Sequence, residues 1–350
     1  MNVSISFDEI KEIFLNKIGS TWLSDGINTY FLSPFAFVTV CLNLISFVSF
    51  MNINTKRSNM TKYLILYTFS SFGGCFIAMF YCLTSARIFE FVNTFEVSLY
   101  SCIITQYIVT INFFCNILDC LILSDRLSYF KDSKFKYFAK LNPYKLALIA
   151  FIICNLINLP YMISLLPRST SEYYEAMHDL DLDKKEFTYC GRNPFFQTRF
   201  GQIILIIVIV LRDIMTLLLQ IILSTASIIH FKNYLIQKRN ILMQSISTDC
   251  YTSTVNKNNL IKDKNFNSKL TKMTIYLALC SILLHLTIAI SYFVIFLFFS
   301  GNSQMAYNFY LISLFIGYIK YLSNFFFFFN FYQNFRLSLK KTFLDFSTSE

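Results

Sequence analysis

Seven stretches of the chain stay apolar for long enough to cross a bilayer, at roughly 30–53, 63–86, 97–123, 145–166, 201–231, 272–299 and 307–332. About 20 mostly apolar residues in a helix span the hydrocarbon layer. A helix is also the one single-segment form that pairs all of its own backbone groups there. The first, second, fourth and sixth runs are clean, whereas the third, fifth and seventh carry Asp119, Arg212, Asp213 and Lys320 in their interiors. The polar segments differ from one another. Residues 1–29 form a mixed-charge tail, 167–200 is acidic, and 232–269 is rich in Asn, Ser, Thr and Lys, a composition that predicts partial disorder. After the last run, 333–346 interleaves Phe335, Leu339, Phe343 and Leu344 with Arg336, Lys340 and Lys341, the pattern of a helix lying in a membrane interface. The expected fold is an all-α membrane protein: a seven-transmembrane helix bundle over 30–332, an N-terminal tail at 1–29, and an amphipathic helix with a short tail at 333–350.

Composition agrees with this reading. Of 350 residues, 55% are hydrophobic and 14% charged, far below the roughly 25% charged of soluble domains. The net charge of +10 does not point to nucleic acid, because the basic residues lie between apolar runs and form no single patch. Twenty Lys and Arg flank the loops on one side of the bundle, including Arg126, Lys145, Lys238, Lys272 and Lys340, and eight flank the other. The positive-inside rule then places the N-terminus outside and the C-terminus inside, in the plasma membrane. Asn2-Val3-Ser4 is a glycosylation sequon on the outer tail. Seven of the ten Cys sit inside apolar runs, so no disulfide scaffold is expected. No internal repeat is visible, which weighs against a transporter. No spacing of His, Cys, Asp or Glu marks a metal site, cofactor or catalytic set, and an enzyme is not expected.

The intramembrane charges are the most unusual chemistry in the chain. Each costs a few kcal/mol or more unless paired, so each must face the bundle or a water-filled cavity. Arg212 and Asp213 point about 100° apart on an α-helix and need not pair with one another. His285 is a further polar residue within the sixth run.

Several short motifs stand at matching places along the seven runs. Asn324 to Arg336 reads NFFFFFNFYQNFR, Asp125-Arg126 ends the third run, and Leu270-Thr271-Lys272-Met273 opens the sixth. Asn43 lies in the first run, and Met60-Thr61-Lys62-Tyr63 leads into the second. Together these resemble a divergent rhodopsin-like G-protein-coupled receptor of invertebrate peptide or chemosensory type. The usual Asn-Pro-x-x-Tyr is degraded, with Phe325 in place of Pro and Phe328 in place of Tyr, while Phe335-Arg336 keep the spacing of the following short helix. Leu127 replaces the Tyr of Asp-Arg-Tyr, Phe72 takes the place of the sodium-binding Asp, and His285 stands where a switch Trp is usual.

The resemblance implies roles for these residues. Arg126 would contact a heterotrimeric G protein, and Asn324 would act as a packing hinge. Cys102 and Cys190 would be bridged outside. Lys320, Asp119 and His285 would form a buried polar cluster, with the ammonium where the sodium ion would be. Retinal is excluded because Tyr318 occupies the Schiff-base position, and the aminergic third-span Asp is replaced by Ile108. The acidic outer loop (Glu172, Glu175, Asp179, Asp181, Asp183, Glu186) favours a cationic neuropeptide as extracellular ligand. The alternatives are a chemosensory receptor for small molecules, or a transporter or channel in which the buried charges form the path.

Overall fold

The computed structural model describes residues 27–53, 58–85, 103, 105–128, 140–169, 188–248, 269–290 and 303–347. The described chain is almost entirely helical. Ser33–Met51 (α1) follows a π-helical turn at Ile27–Leu32, and then come Asn59–Ser85 (α2), Thr105–Ser128 (α3) and Pro143–Met162 (α4). A fifth helix, α5, runs from Arg199–Ile209 through a π-helical turn at Val210–Ile214 into Met215–Thr248. Lys269–Ile290 (α6), Ser303–Phe331 (α7) and Gln333–Ser347 (α8) complete the order. Among the described residues, α1 to α6 are long and apolar enough to cross a membrane, as an all-α membrane protein requires.

Two departures from the sequence reading concern the polar segments. The segment expected to be a plain loop at 167–200 is bounded by an antiparallel hairpin, Leu165–Ser169 (β1) against Thr188–Arg192 (β2), with Pro167 opposite Cys190. The class is therefore helical with one small two-stranded sheet. The segment at 232–269, expected to be partly disordered, is helical as far as Thr248, because α5 continues without a break past the apolar run. Lys232, Asn233 and Gln237 on this extension are exposed, a polar surface that needs no packing partner.

Local chemistry fixes where the elements begin. Asn142 caps α4 by accepting from the Tyr144 N–H at 3.0 Å, with Pro143 in the first turn. Before α5, Asn193 accepts from the Phe195 N–H at 3.1 Å and opens the 3-10 turn Pro194–Gln197. Thr198 then caps α5 by accepting from Gly201 at 3.1 Å. These caps satisfy backbone N–H groups that the first helical turn leaves without partners. Gly201 is required here: a Cβ at this position would lie 2.3 Å from the Phe195 carbonyl oxygen.

The most extensive packing joins α1 to α2 and α2 to α3. Gly74 lets α2 approach α3, where an added Cβ would sit 3.0 Å from the Ile111 side chain. At one end of the bundle, Phe50 of α1, Phe328 of α7 and Phe335 of α8 are fully buried, with ring centroids 5.0–5.8 Å apart. The run of five Phe divides by face: Phe328 is in this core, while Phe326 and Phe329 point outward. Outward-facing Leu148, Ile152, Leu156, Ile203, Ile207 and Ile222 leave broad apolar surfaces on α4 and α5. A soluble monomer rarely exposes apolar patches of that extent, whereas a helix facing lipid does.

Candidate functional site

The third helix supplies the floor of the site. Asn112, Asn116 and Asp119 follow one another at spacings of four and three, so all lie on one face of α3 and turn into the bundle. Lys320 of α7 meets this face. Its Nζ donates to Asn116 Oδ1 at 2.5 Å and stands 3.3 Å from Asp119 Oδ2. Lys320 and Asp119 are each 5% exposed, so this is a fully desolvated ion pair between two helices. One helical turn away, the Tyr321 hydroxyl donates to Asn112 Oδ1. Ser281 of α6 donates to the same Asp119 Oδ2 at 2.8 Å.

A second charged pair sits in the π-helical turn of α5. Arg212 and Asp213 bind each other directly, with Nε to Oδ1 at 3.0 Å and Nη2 to Oδ2 at 2.7 Å. The sequence expectation that these neighbours need not pair is therefore corrected. An Arg side chain is long enough to curl back over one residue, and in a dry interior the adjacent carboxylate is the strongest partner within reach. Asp125 and Arg126 do the same in regular α-helix, at 3.0 Å. Arg212 also donates through Nη1 to Asn158 Oδ1 of α4 at 3.3 Å, and it lies over the Tyr161 ring at 4.9 Å. Asn158 in turn donates to Thr110 Oγ1 of α3 at 2.6 Å.

His285 and Gln220 join the two pairs. Gln220 Nε2 lies 3.3 Å from the Asn116 carbonyl oxygen and 3.4 Å from Ser281 Oγ. Because a carbonyl oxygen only accepts, the amide NH2 of Gln220 must face it, and Oε1 faces His285 Nδ1 at 3.4 Å. His285 Nδ1 therefore acts as the donor in this contact. On the other side of the ring, Nε2 lies 3.8 Å from Asp213 Oδ1. The result is a polar chain of Thr110, Asn158, Arg212, Asp213, His285, Gln220, Ser281, Asp119, Lys320 and Asn116, hydrogen-bonded or ion-paired throughout except for the 3.8 Å step from Asp213 to His285. It crosses α3, α4, α5, α6 and α7.

Against this chain lies a small cavity of about 50 Å3. Arg212, Asp213, His285 and Lys320 line one part of it, and Val109, Phe113 and Ile288 another. A neighbouring hollow of about 40 Å3 shares Asn112, Ile288, Gly317 and Tyr321 with it and extends toward Gly74 and Cys75 of α2. The cavity level at Asn112 is fourteen residues from Arg126 along α3, or about 21 Å at 1.5 Å per residue.

The other sequence-derived candidates fall in separate places. Lys320 and Asp119 touch, whereas His285 reaches them only through Gln220 and Ser281. Arg126 and Asp125 are buried at the far end of α3. Asn324 is buried and donates from Nδ2 to the Tyr67 hydroxyl of α2 at 3.1 Å. Phe328 packs in the aromatic core, and Lys272 is exposed on α6. Cys102 and the acidic stretch at 172–186 lie outside the described residues, and for Cys190 only the backbone, in β2, is described. Sequence reasoning missed Asn158, Gln220, Ser281, Asn112 and Asn116. A usable signal existed for the α3 pair, since Asn112, Asn116 and Asp119 repeat at helical spacing.

No protein-family model matches the chain, and no curated protein sequence matches it.

Proposed function

We propose that this protein is a seven-span receptor of the plasma membrane that transmits binding of an extracellular ligand to a heterotrimeric G protein. The observation that carries the reading is the polar chain. It ties α3, α4, α5, α6 and α7 together directly beneath a cavity, and the same α3 ends about 21 Å away in the buried pair Asp125–Arg126. A ligand entering the cavity would compete for the contacts that hold α5, α6 and α7 on α3. Favouring one packing of those helices over another is how binding energy becomes a conformational signal. In this reading α7 is the seventh span, the N-terminus is outside, and the excess of basic residues on the opposite side marks the cytoplasm. The resemblance to divergent rhodopsin-like receptors supplies the rest. Arg126 would contact the G protein, Asn324 would hinge α7 on α2, and a Cys102–Cys190 bridge would staple the outer hairpin. A neuropeptide is the favoured ligand, and a small chemosensory molecule is the alternative.

The transporter alternative would use the same buried charges as an ion path, and it predicts flux without a G protein. Asp119 pairs with Lys320, and Asp213 with Arg212. The deciding experiment is G-protein activation in cells expressing the chain, beside Arg126→Ala, with a panel of basic amidated peptides and an unstimulated control. Basal or evoked activity that disappears in Arg126→Ala is the expected result. Silence across all G-protein classes with surface expression confirmed overturns the proposal, and ion flux is then the next assay.

A further inference from the structure

At the end of the bundle where α2 and α4 begin, cations gather without anions. Lys62 stands in the first turn of α2, and its ammonium lies over the Tyr144 ring of α4, 6.0 Å from the centroid. Tyr144 is in the first turn of α4, with Lys145 next to it and Lys140 four residues before it, and both of these Lys are exposed. The carboxylates whose side chains are described are Asp119, Asp125 and Asp213, and all three are buried in the bundle beside cations of their own. Among the described residues, then, no carboxylate is within ion-pair reach of Lys62, Lys140 or Lys145. Lys62 is half-buried, and the partner it has found is an aromatic face. Asn142 already accepts the Tyr144 N–H, so the charge at this seam comes from the three ammonium groups. Like charges held this close repel one another until an anion sits among them.

What lies beside the lysines decides the class of anion. Lys62 and Lys145 stand at the ends of apolar spans, the level of lipid headgroups. Deeper along α2, Phe69 is two helical turns from Lys62 on the same side and is 56% exposed. Along α4, Leu148 is one turn from Tyr144 and 59% exposed, and Ile152 continues the row. α2 and α4 are in contact, so the cations and the apolar walls belong to one seam. Charge at headgroup level above apolar surface at acyl-chain depth suits an amphiphile, whereas a soluble anion would use the upper part alone. One phosphodiester would leave most of the positive charge unmet, so a headgroup with several negative charges fits best. Basic pockets between membrane helices recognise lipid headgroups of this kind. We propose that the α2–α4 seam binds an anionic phospholipid, its multiply charged headgroup among Lys62, Lys140 and Lys145 and an acyl chain along Phe69 and Leu148. The site is on the outer surface of the bundle, apart from the polar chain, and goes beyond the receptor reading without depending on it.

The test uses the purified full chain in detergent and reads thermal unfolding while a probe is titrated in. A ligand that binds only the folded protein raises its melting temperature in a saturable way. The probes are short-chain phosphatidylinositol bisphosphate, phosphatidylcholine with the same chains, and inositol trisphosphate, which has phosphates and no chains. The expected result is a saturable rise with phosphatidylinositol bisphosphate and none with the other two over the same concentrations. With about a fivefold effect for each Lys near the headgroup, half-saturation should move up about 100-fold in Lys62→Gln/Lys140→Gln/Lys145→Gln. It should move less than about tenfold in Arg336→Gln/Lys340→Gln/Lys341→Gln, which removes the same charge from α8. Should the first variant fail to fold, Lys140→Gln/Lys145→Gln changes exposed side chains alone and takes its place, with a shift of about 25-fold. An equal rise with phosphatidylcholine overturns the proposal, as does no rise with any probe. So does an equal response to inositol trisphosphate, the mark of a site for a free phosphate compound. An equal shift in the two triple variants also overturns it, because attraction would then belong to the whole basic end and not to the seam. Signalling is not read in this experiment, so the receptor reading stands or falls separately, on Arg126→Ala.

Discussion

Helices α3 and α4 are both apolar spans of similar length, yet 67% of the apolar stretch of α3 is buried within the protein against 17% of that of α4. The difference lies in their polar residues. α3 carries Thr110, Asn112, Asn116, Asp119, Asp125 and Arg126, and these groups find partners on α4, α5, α6, α7 or α3 itself. α4 presents mainly outward Leu and Ile and is anchored to the chain of polar contacts by Asn158, with Tyr161 beneath Arg212. Lipid tails are as apolar as Leu, so apolar surface alone does not drive one helix onto another within a membrane. Close packing and polar contacts decide which helix sits at the centre.

That contrast can be broken at graded cost. The largest effect is expected from Lys320→Met, which strands the Asp119 carboxylate in the interior. Removing one partner of a buried pair costs about 3–5 kcal/mol. Purified yield and melting temperature should fall sharply for Lys320→Met and recover in the double variant Asp119→Leu/Lys320→Met, in which no charge is left alone. A single variant as stable as the parent would refute α3 as the electrostatic hub. Next comes Leu118→Ala on α3, where a fully buried side chain is removed. Core truncations of this kind cost about 2–5 kcal/mol, and denaturant unfolding in detergent reads the loss. Asn158→Leu on α4 should cost less, about 1–3 kcal/mol, from unmet hydrogen bonds at Thr110 and Arg212. The smallest effect is expected from Leu156→Ala, because this α4 side chain is 64% exposed to the surroundings of the bundle. Its melting temperature should match the parent within about 0.5 kcal/mol equivalent. A large loss there would mean that α4 has a protein partner on its outer face.

The sequence made some of this plain and hid the rest, for identifiable reasons. Helical spans are legible because apolar length is itself the physical requirement, and α8 is legible because its apolar residues recur at helical spacing. Its apolar face does more than touch an interface, since Phe335 and Leu339 are buried in the protein and Ser338 donates to the Ser49 carbonyl of α1 at 2.6 Å. Ionisable residues announced themselves as needing partners, but their partners did not. Arg212 is matched by its own neighbour and by an uncharged Asn 54 residues away. Ser281 and Gln220 bridge across 61 residues, at 3.4 Å. Uncharged polar residues within apolar runs draw little attention in a hydropathy reading, yet here they connect the charged pairs. The continuation of α5 to Thr248 was hidden because its polar composition resembles that of a loop.

The pairing of the intramembrane charges has a consequence for how the molecule meets an electric field. Moving one elementary charge across a membrane potential is worth about 2.3 kcal/mol per 100 mV. Asp119 with Lys320, and Asp213 with Arg212, each sum to zero over about 3 Å. A movement of α5 carries Arg212 and Asp213 together and therefore transports no gating charge, whereas a shift of α7 against α3 moves Lys320 without Asp119. Within such a bundle a membrane potential has no purchase on α5 and acts, if anywhere, on the contact between α3 and α7.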